Sequence, residues 1–405
     1  MKMKPIPYGK QYVSDEDIEA VVGVLRSDYL TQGPVVREFE EAFAKYIGCK
    51  YAVAVSNGTA ALHLAALALN VKTGAKVITT PITFAASANC MRYCGAEVVF
   101  ADIDPATYCL DIKSVESILA KSHKGEYSGI VAVDFAGYPL DLEDFRMLAD
   151  DYRLWLLEDA CHSPGAYFVD FKGQKQFCGG GMNADISVFS FHPVKHIACG
   201  EGGMVTTNDE GIYQNLCLLR THGITKEQDL FKNPLEVAYG VEAGELCSGS
   251  DTYPGWYYEM QGLGYNYRLT DIQAALGASQ LKRADAGLQR RREIASVYNH
   301  AFEGKRYLKG QSGYNEGHAY HLYVIEVDDR NGLYQFLRKN RIYAQIHYVP
   351  TYLMPYYAQF GWQRGACEMA ERYYSRCLSL PMYPTLTEEE LSFVIRKVDE
   401  YYEEG

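Results

Sequence analysis

Between Lys50 and Asn208 the chain alternates short apolar, β-branched runs with stretches whose apolar residues recur at helical spacing. YAVAV (51–55), KVITT (76–80), EVVFADI (97–103), GIVAVDF (129–135), RLWLLEDA (153–160), DISVFSF (185–191) and GGMVTTN (202–208) make seven strand candidates. Their nearly uniform apolarity predicts strands buried on both faces, as in a mostly parallel sheet covered by helices. The last two runs leave little room for a helix between them, so they are expected to pair antiparallel.

The stretch 224–253 shows no sustained period and reads as a long loop and a domain boundary. Past it, Thr270 and Gln273 form a T-x-x-Q capping box that opens one long helix running to Phe302. A strand over 321–327, a helix over 332–340, a strand over 343–349 and a final helix behind Thr387 and Glu390 follow. The pattern predicts an α/β protein: a large domain over 1–253, its residues 1–13 forming an arm, and a smaller α+β domain over 254–405.

Charge and composition narrow the function classes. Net charge is 39 − 51 = −12, and no basic run offsets it, so nucleic acid is an unexpected partner. No apolar run approaches the length that spans a bilayer, and MKMKPIPYGK lacks the apolar core of a secretory signal, which predicts a cytoplasmic protein. The eleven cysteines are odd in number and form no C-x-x-C pair, as expected of reduced thiols. No metal site is expected.

The chemistry gathers around one lysine. Lys195 stands alone between an apolar run and a glycine-rich turn in VFSFHPVKHIACGEGGMVTTND; a surface lysine is the bland reading, and an amine whose burial lowers its pKa is the reactive one. Asp159 ends a strand candidate, where open α/β sheets place ligands, although a cap or an ion-pair partner would look the same. His162 follows three residues later. SNGTAAL (56–62) opens a helical pattern directly after a strand, so the amides of Gly58, Thr59 and Ala60 offer an anion site, although many loops of this kind bind nothing. Neither a Walker A loop nor a strand-linked G-x-G-x-x-G is present. One cofactor needs all of these groups: pyridoxal 5′-phosphate, with a lysine for its aldehyde, a carboxylate for its ring nitrogen and a helix N-terminus for its phosphate.

The motifs LTQGPVVREFEEAFAKYIG, SNGTAALHLA, PITFAASANC, EDACHSPGA, FSFHPVKHIACGEGGM and GYNYRLTDIQAALG then resemble the DegT-type nucleotide-sugar aminotransferases. These are fold type I pyridoxal-phosphate enzymes, and the resemblance covers about residues 5–385. It is strongest to family members of pseudaminic acid biosynthesis, which implies amino transfer from an amino acid, glutamate, to C4 of a UDP-linked 4-keto-6-deoxy sugar. On that resemblance Lys195 bonds the cofactor's aldehyde, Asp159 meets its ring nitrogen and His162 lies near its ring oxygen. Gly58, Thr59 and Ser190 match the phosphate site, and Phe84 the aromatic that stacks on the ring. Asn266 matches a residue that reaches the phosphate from a second subunit, which implies a homodimer with shared active sites.

Three departures bear on substrate choice: HIAC at 196–199, Tyr352 where many relatives carry histidine, and the loop 224–253, all expected to line or cover the sugar site. Tyr8 and Tyr29 are further candidates for that pocket. The rival readings are an aminotransferase for another nucleotide-linked keto sugar, a pyridoxamine-dependent sugar dehydratase, a cofactor-binding regulator without turnover, and a thiol hydrolase built on Cys161 and His162. Lys195 disfavours the dehydratase, whose relatives carry histidine in the lysine's place. Adjacent residues such as Cys161 and His162 seldom face each other.

Overall fold

In the computed structural model the described residues are 4–246, 251–311 and 315–403. Seven strands form the main sheet: β1 Tyr51–Val55, β2 Lys76–Thr79, β3 Glu97–Phe100, β4 Tyr127–Val133, β5 Trp155–Asp159, β6 Ile186–Ser190 and β7 Gly203–Thr207. Their order is β1-β7-β6-β5-β4-β2-β3, and every strand runs one way except β7, which is antiparallel to both β1 and β6. All seven expected runs are therefore strands, and the expected antiparallel pair is β6 with β7.

Burial on both faces explains their composition. From Ala52 to Val55 and from Gly203 to Thr207 every residue is buried, and each large side chain so removed from water contributes about 1.5–3 kcal/mol. Helices between the strands complete the layers. The helix Gly58–Ala68 starts where Asn57 Oδ1 accepts from Ala60 N–H at 2.8 Å, an N-cap that fixes the turn leaving β1.

A second core gathers Ile294, Tyr298, Ile325, Leu337, Leu380 and Val394 around a three-stranded antiparallel sheet, β8 Leu308–Gly310, β9 Tyr323–Val327 and β10 Cys377–Leu380, in that order. Ile6 belongs to this core too. Ile6–Pro7 pairs parallel with Ile342–Tyr343, and Tyr8 O accepts from Met382 N–H at 2.9 Å. The two sequence-read capping boxes are present, at Thr270/Gln273 and Thr387/Glu390.

Three expectations change. The helix expected to run unbroken to Phe302 is two, Asp271–Leu281 and Ala284–Phe302. The break lies at Arg283, whose guanidinium turns away to Ser14 Oγ, Tyr12 O and the buried Asp17 carboxylate, contacts far along the chain that helical periodicity does not encode. The strand expected over 343–349 is only Ile342–Tyr343, because from Gln345 the chain keeps one bridge, to Ser379, and turns toward the main sheet. The stretch 224–253 also carries structure: Ile224–Thr225 pairs with Glu259–Met260, and Leu235–Tyr239 forms a helical turn. Its residues 247–250 lie outside the described ones.

Candidate active site

A cavity of about 500 Å³ opens at the carboxyl ends of β1, β2, β5 and β6, where an open α/β sheet presents its loops. Gly58, Thr59, Phe84, Asp159, His162, Ser190 and Lys195 all line it. Asn266 does not; it is exposed, and its neighbour Tyr267 hydrogen-bonds through its N–H to Arg220 O at 3.1 Å.

Lys195 follows β6 on a turn closed by its N–H to His192 O at 2.8 Å. The side chain is half-buried, and among the described residues no hydrogen bond or ion pair engages its ammonium. Burial pulls its pKa below the ordinary lysine value; Cys161 and Asp159 oppose the shift and the Arg291 charge adds to it. An unpaired, desolvated amine is a base and a nucleophile in waiting.

Asp159 is 5% exposed at the end of β5. Its Oδ2 accepts from Ser87 Oγ at 2.6 Å and its Oδ1 from Cys161 N–H at 3.2 Å, while Ser87 Oγ also lies 2.7 Å from Thr83 Oγ1. These bonds hold the carboxylate in place at the cavity wall. His162 Nδ1 accepts from Ala136 N–H at 3.2 Å, so the neutral ring carries its proton on Nε2. Burial keeps this ring neutral, its pKa well below the ordinary value.

At the far end, Ala60 N–H is spent on Asn57, which leaves the amides of Gly58 and Thr59 at the cavity. A Cβ on Gly58 would stand 2.9 Å from Ser190 Cβ, so glycine alone lets the helix end lie against β6. Phe84 is 62% exposed although apolar, with its ring 6.4 Å from that of Tyr348. A largely exposed aromatic ring beside two open helix-start amides, a fixed carboxylate and an amine without a hydrogen bond matches pyridoxal phosphate group by group.

Sequence reasoning missed Ser87, His192, Glu201, His321, His347 and Tyr348, which also line the cavity. His347 and Tyr348 fall where a regular strand was expected, and nothing local marks the turn that carries them inward. His347 Nδ1 lies 2.9 Å from Ser379 Oγ, and burial pulls its pKa down to about 3. Tyr8 does line the cavity, 5.1 Å ring to ring from His347, whereas Tyr29 is exposed elsewhere. Tyr352 is fully buried, its hydroxyl on Glu371 at 2.5 Å, so it packs in the core and does not line the cavity. Residues 196–199 also stay out of the cavity wall: Ile197, Ala198 and Cys199 are buried, and His196 Nε2 lies 3.0 Å from Ala319 O. Residues of the 224–253 stretch are likewise absent from the wall among those described. The hydrolase reading finds no support in the geometry: Cys161 Sγ lies 3.9 Å from Val188 O, and His162 Nδ1 is already taken by Ala136 N–H.

Comparisons with known proteins place nearly the whole chain in a family. A model of the DegT/DnrJ/EryC1/StrS aminotransferase family matches residues 11–399. The chain belongs to this family. It is 36% identical to the spore coat polysaccharide biosynthesis protein SpsC of Bacillus subtilis, over 97% of this chain and 96% of SpsC. Against the UDP-4-amino-4,6-dideoxy-N-acetyl-beta-L-altrosamine transaminase of Campylobacter jejuni serotype O:23/36 it is also 36% identical, over 96% and 95%. Among solved structures, Helicobacter pylori PseC, an aminotransferase involved in pseudaminic acid biosynthesis, superposes with a TM-score of 0.84 at 30% identity, over 99% of this chain and 100% of PseC. Neighbours of the same fold have been solved in PLP-form and PMP-form. The chain is a fold type I sugar aminotransferase dependent on pyridoxal phosphate. Among the described residues no helix is long and apolar enough to cross a membrane.

Proposed function

We propose that this aminotransferase moves the amino group of glutamate to the C4 keto carbon of a UDP-linked 4-keto-6-deoxy-N-acetylhexosamine, in pseudaminic acid or related amino-sugar biosynthesis. The observation that carries the reading is the convergence of seven matched positions on one cavity around the unpaired Lys195 amine. Similarity to the Campylobacter and Helicobacter enzymes supports the sugar.

Each residue has a physical task. Gly58 and Thr59 amides with the Ser190 hydroxyl hold the phosphate, and Phe84 covers a face of the ring. The Asp159 carboxylate, fixed by Ser87, holds the ring nitrogen protonated, and His162 Nε2–H donates to the ring oxygen. Bound there, the cofactor supplies an electron sink that lets a C–H bond next to nitrogen break. Lys195 Nζ takes the proton leaving the donor's Cα and later delivers one to sugar C4, a role for which its lowered pKa suits it. Glutamate and keto sugar become the 2-oxo acid and the amino sugar.

Lys195 is the one lysine or arginine in the wall among the described residues. A dicarboxylate donor and a diphosphate need more cationic partners than that. This shortfall, with Asn266 exposed outside its own cavity, supports a homodimer in which each chain completes the other's site.

Equal identity to SpsC, named for spore coat polysaccharide biosynthesis rather than pseudaminic acid, leaves a second reading, another nucleotide-linked keto sugar. Presenting UDP- and dTDP-linked 4-keto and 3-keto sugars to the aminated enzyme tests both, with NMR of the product fixing the carbon. Amination of a dTDP-sugar or of C3 in preference to the UDP-linked C4 substrate would replace the first reading with the second.

A further inference from the structure

Glu158 precedes Asp159 on β5, and Asp134 directly follows β4. Alternation along a strand turns Glu158 away from the face that Asp159 presents. Asp134 and Glu158 are 0% and 1% exposed, and their carboxyl oxygens lie with Cys178 Sγ within 4.8 Å of one another. Among the described residues neither carboxyl has a cationic partner. Two anions that close in a dry interior cannot both stay ionised.

Hydrogen bonds tell the two apart. Asp134 Oδ1 accepts from Leu140 N–H at 3.1 Å and Oδ2 from Ser163 Oγ at 2.5 Å, so both oxygens behave as a carboxylate's. Glu158 Oε2 accepts from Ser187 Oγ at 2.6 Å and Gly179 N–H at 2.9 Å, whereas Oε1 is buried without a partner. An orphan carboxyl oxygen beside an anion is where an acid's proton belongs.

We propose that Glu158 is a neutral carboxylic acid that shares its proton with an ionised Asp134, and that this pair is the positioning device for His162. Asp134 joins both loops that define that ring. Its Oδ1 closes 134–140, where Ala136 N–H meets His162 Nδ1, and its Oδ2 grips Ser163, the residue after His162. Its own N–H donates to Asp159 O at 3.2 Å. Glu158 makes this arrangement tolerable by removing one of two buried charges.

Burial raises both carboxyls, Glu158 further because the charge of Asp134 adds to it. The other titratable groups facing the pair are the thiols of Cys109, Cys161 and Cys178, all held protonated by burial. A divalent cation on Asp134, Glu158 and Cys178 is disfavoured, since hydroxyl and amide donors already fill three of the four carboxyl oxygens.

The positioning half rests on the cofactor reading of His162; the proton half does not. Infrared spectra of the holoenzyme at pH 7.5 should show a protonated-carboxyl band that shifts in D2O, persists in Lys195→Ala and is missing from Glu158→Gln. Folded Glu158 keeps a proton that the unfolded chain releases above about pH 4, so this group's own contribution to stability falls as pH rises above that value, and Glu158→Gln should remove one proton's worth of that slope from the protein's pH–stability curve. Glu158→Leu should lower kcat about tenfold, as expected for loss of a supporting partner, and shift the pH titration of the cofactor's visible absorbance. Glu158→Gln, which can still donate to Asp134, should recover most of both. Absence of the band, or a stoichiometric metal in wild type that Glu158→Gln loses, overturns the shared proton. An unmoved cofactor titration in Glu158→Leu overturns the positioning role alone.

Discussion

Gly58→Ala tests the cradle at its tightest point. The added methyl would lie 2.9 Å from Ser190 Cβ, 3.1 Å from its Oγ and 3.5 Å from its Cα, against ordinary contacts of 3.4–4 Å. Relief needs about 0.5–1 Å of movement, estimated from the usual carbon–carbon separation. Ser190 is in register with Gly203 on β7, so the strand resists moving. Overpacking of this kind costs about 1–3 kcal/mol, and replacing glycine in a helix returns up to about 1 kcal/mol. The net is a loss of about 0–3 kcal/mol, concentrated where the phosphate must sit. If 1–2 kcal/mol of it falls on the bound state, the Kd for pyridoxal phosphate rises about 5–30-fold. Titrating cofactor-free enzyme by absorbance measures this directly, with urea unfolding of the same preparation recording stability. Ser190→Gly vacates the clashing atoms, so the double variant should regain affinity relative to Gly58→Ala, a coupling that a double-mutant cycle isolates. Wild-type affinity in Gly58→Ala, or a double variant no better than the two losses added together, would refute the close-approach argument.

Lys195→Ala should abolish turnover and the cofactor's visible absorbance, yet leave the cofactor-free protein no less stable in urea, because an unpaired, desolvated amine is removed. Phe84→Ala should change stability by less than about 0.5 kcal/mol, as for a surface position, and raise the Kd for pyridoxal phosphate about 3–10-fold through loss of ring stacking worth about 0.5–1.5 kcal/mol; a stability loss as large as a core cavity's would place that ring in packing. His162, His196, His318, His321 and His347 all have folded pKa values below the ordinary one through burial, those of His318 and His347 down to about 3. The unfolded chain therefore binds protons below about pH 6.5 that the folded protein refuses, and stability falls as pH drops by about 1.4 kcal/mol per pH unit for each ring. Urea midpoints at pH 7.5 and 5.5 check this, and equal midpoints would contradict the burial of these rings.

The main sheet was readable because strands buried on both faces leave continuous apolar runs, and all seven did. Site positions carried by a strand end or a capped helix start were equally readable, as Asp159 and Gly58 are. Tertiary decisions were not. Nothing near Arg283 announces that its side chain will desert the helix for Asp17, more than two hundred residues earlier. The run 343–349 is apolar and aromatic like a strand, yet its later residues serve the cavity. Tyr352 stood at a position suggestive of substrate contact, and only the structure reveals Glu371 as its hydroxyl's partner.

The pairing of Ile6–Pro7 with Ile342–Tyr343 brings Tyr8 into the reaction chamber from the start of the chain. Segments so near an end are commonly treated as disposable when expression vectors are drawn up. Here, trimming through Tyr8 would take down a wall of the chamber, and a bulky tag fused just ahead of Ile6 would press on it.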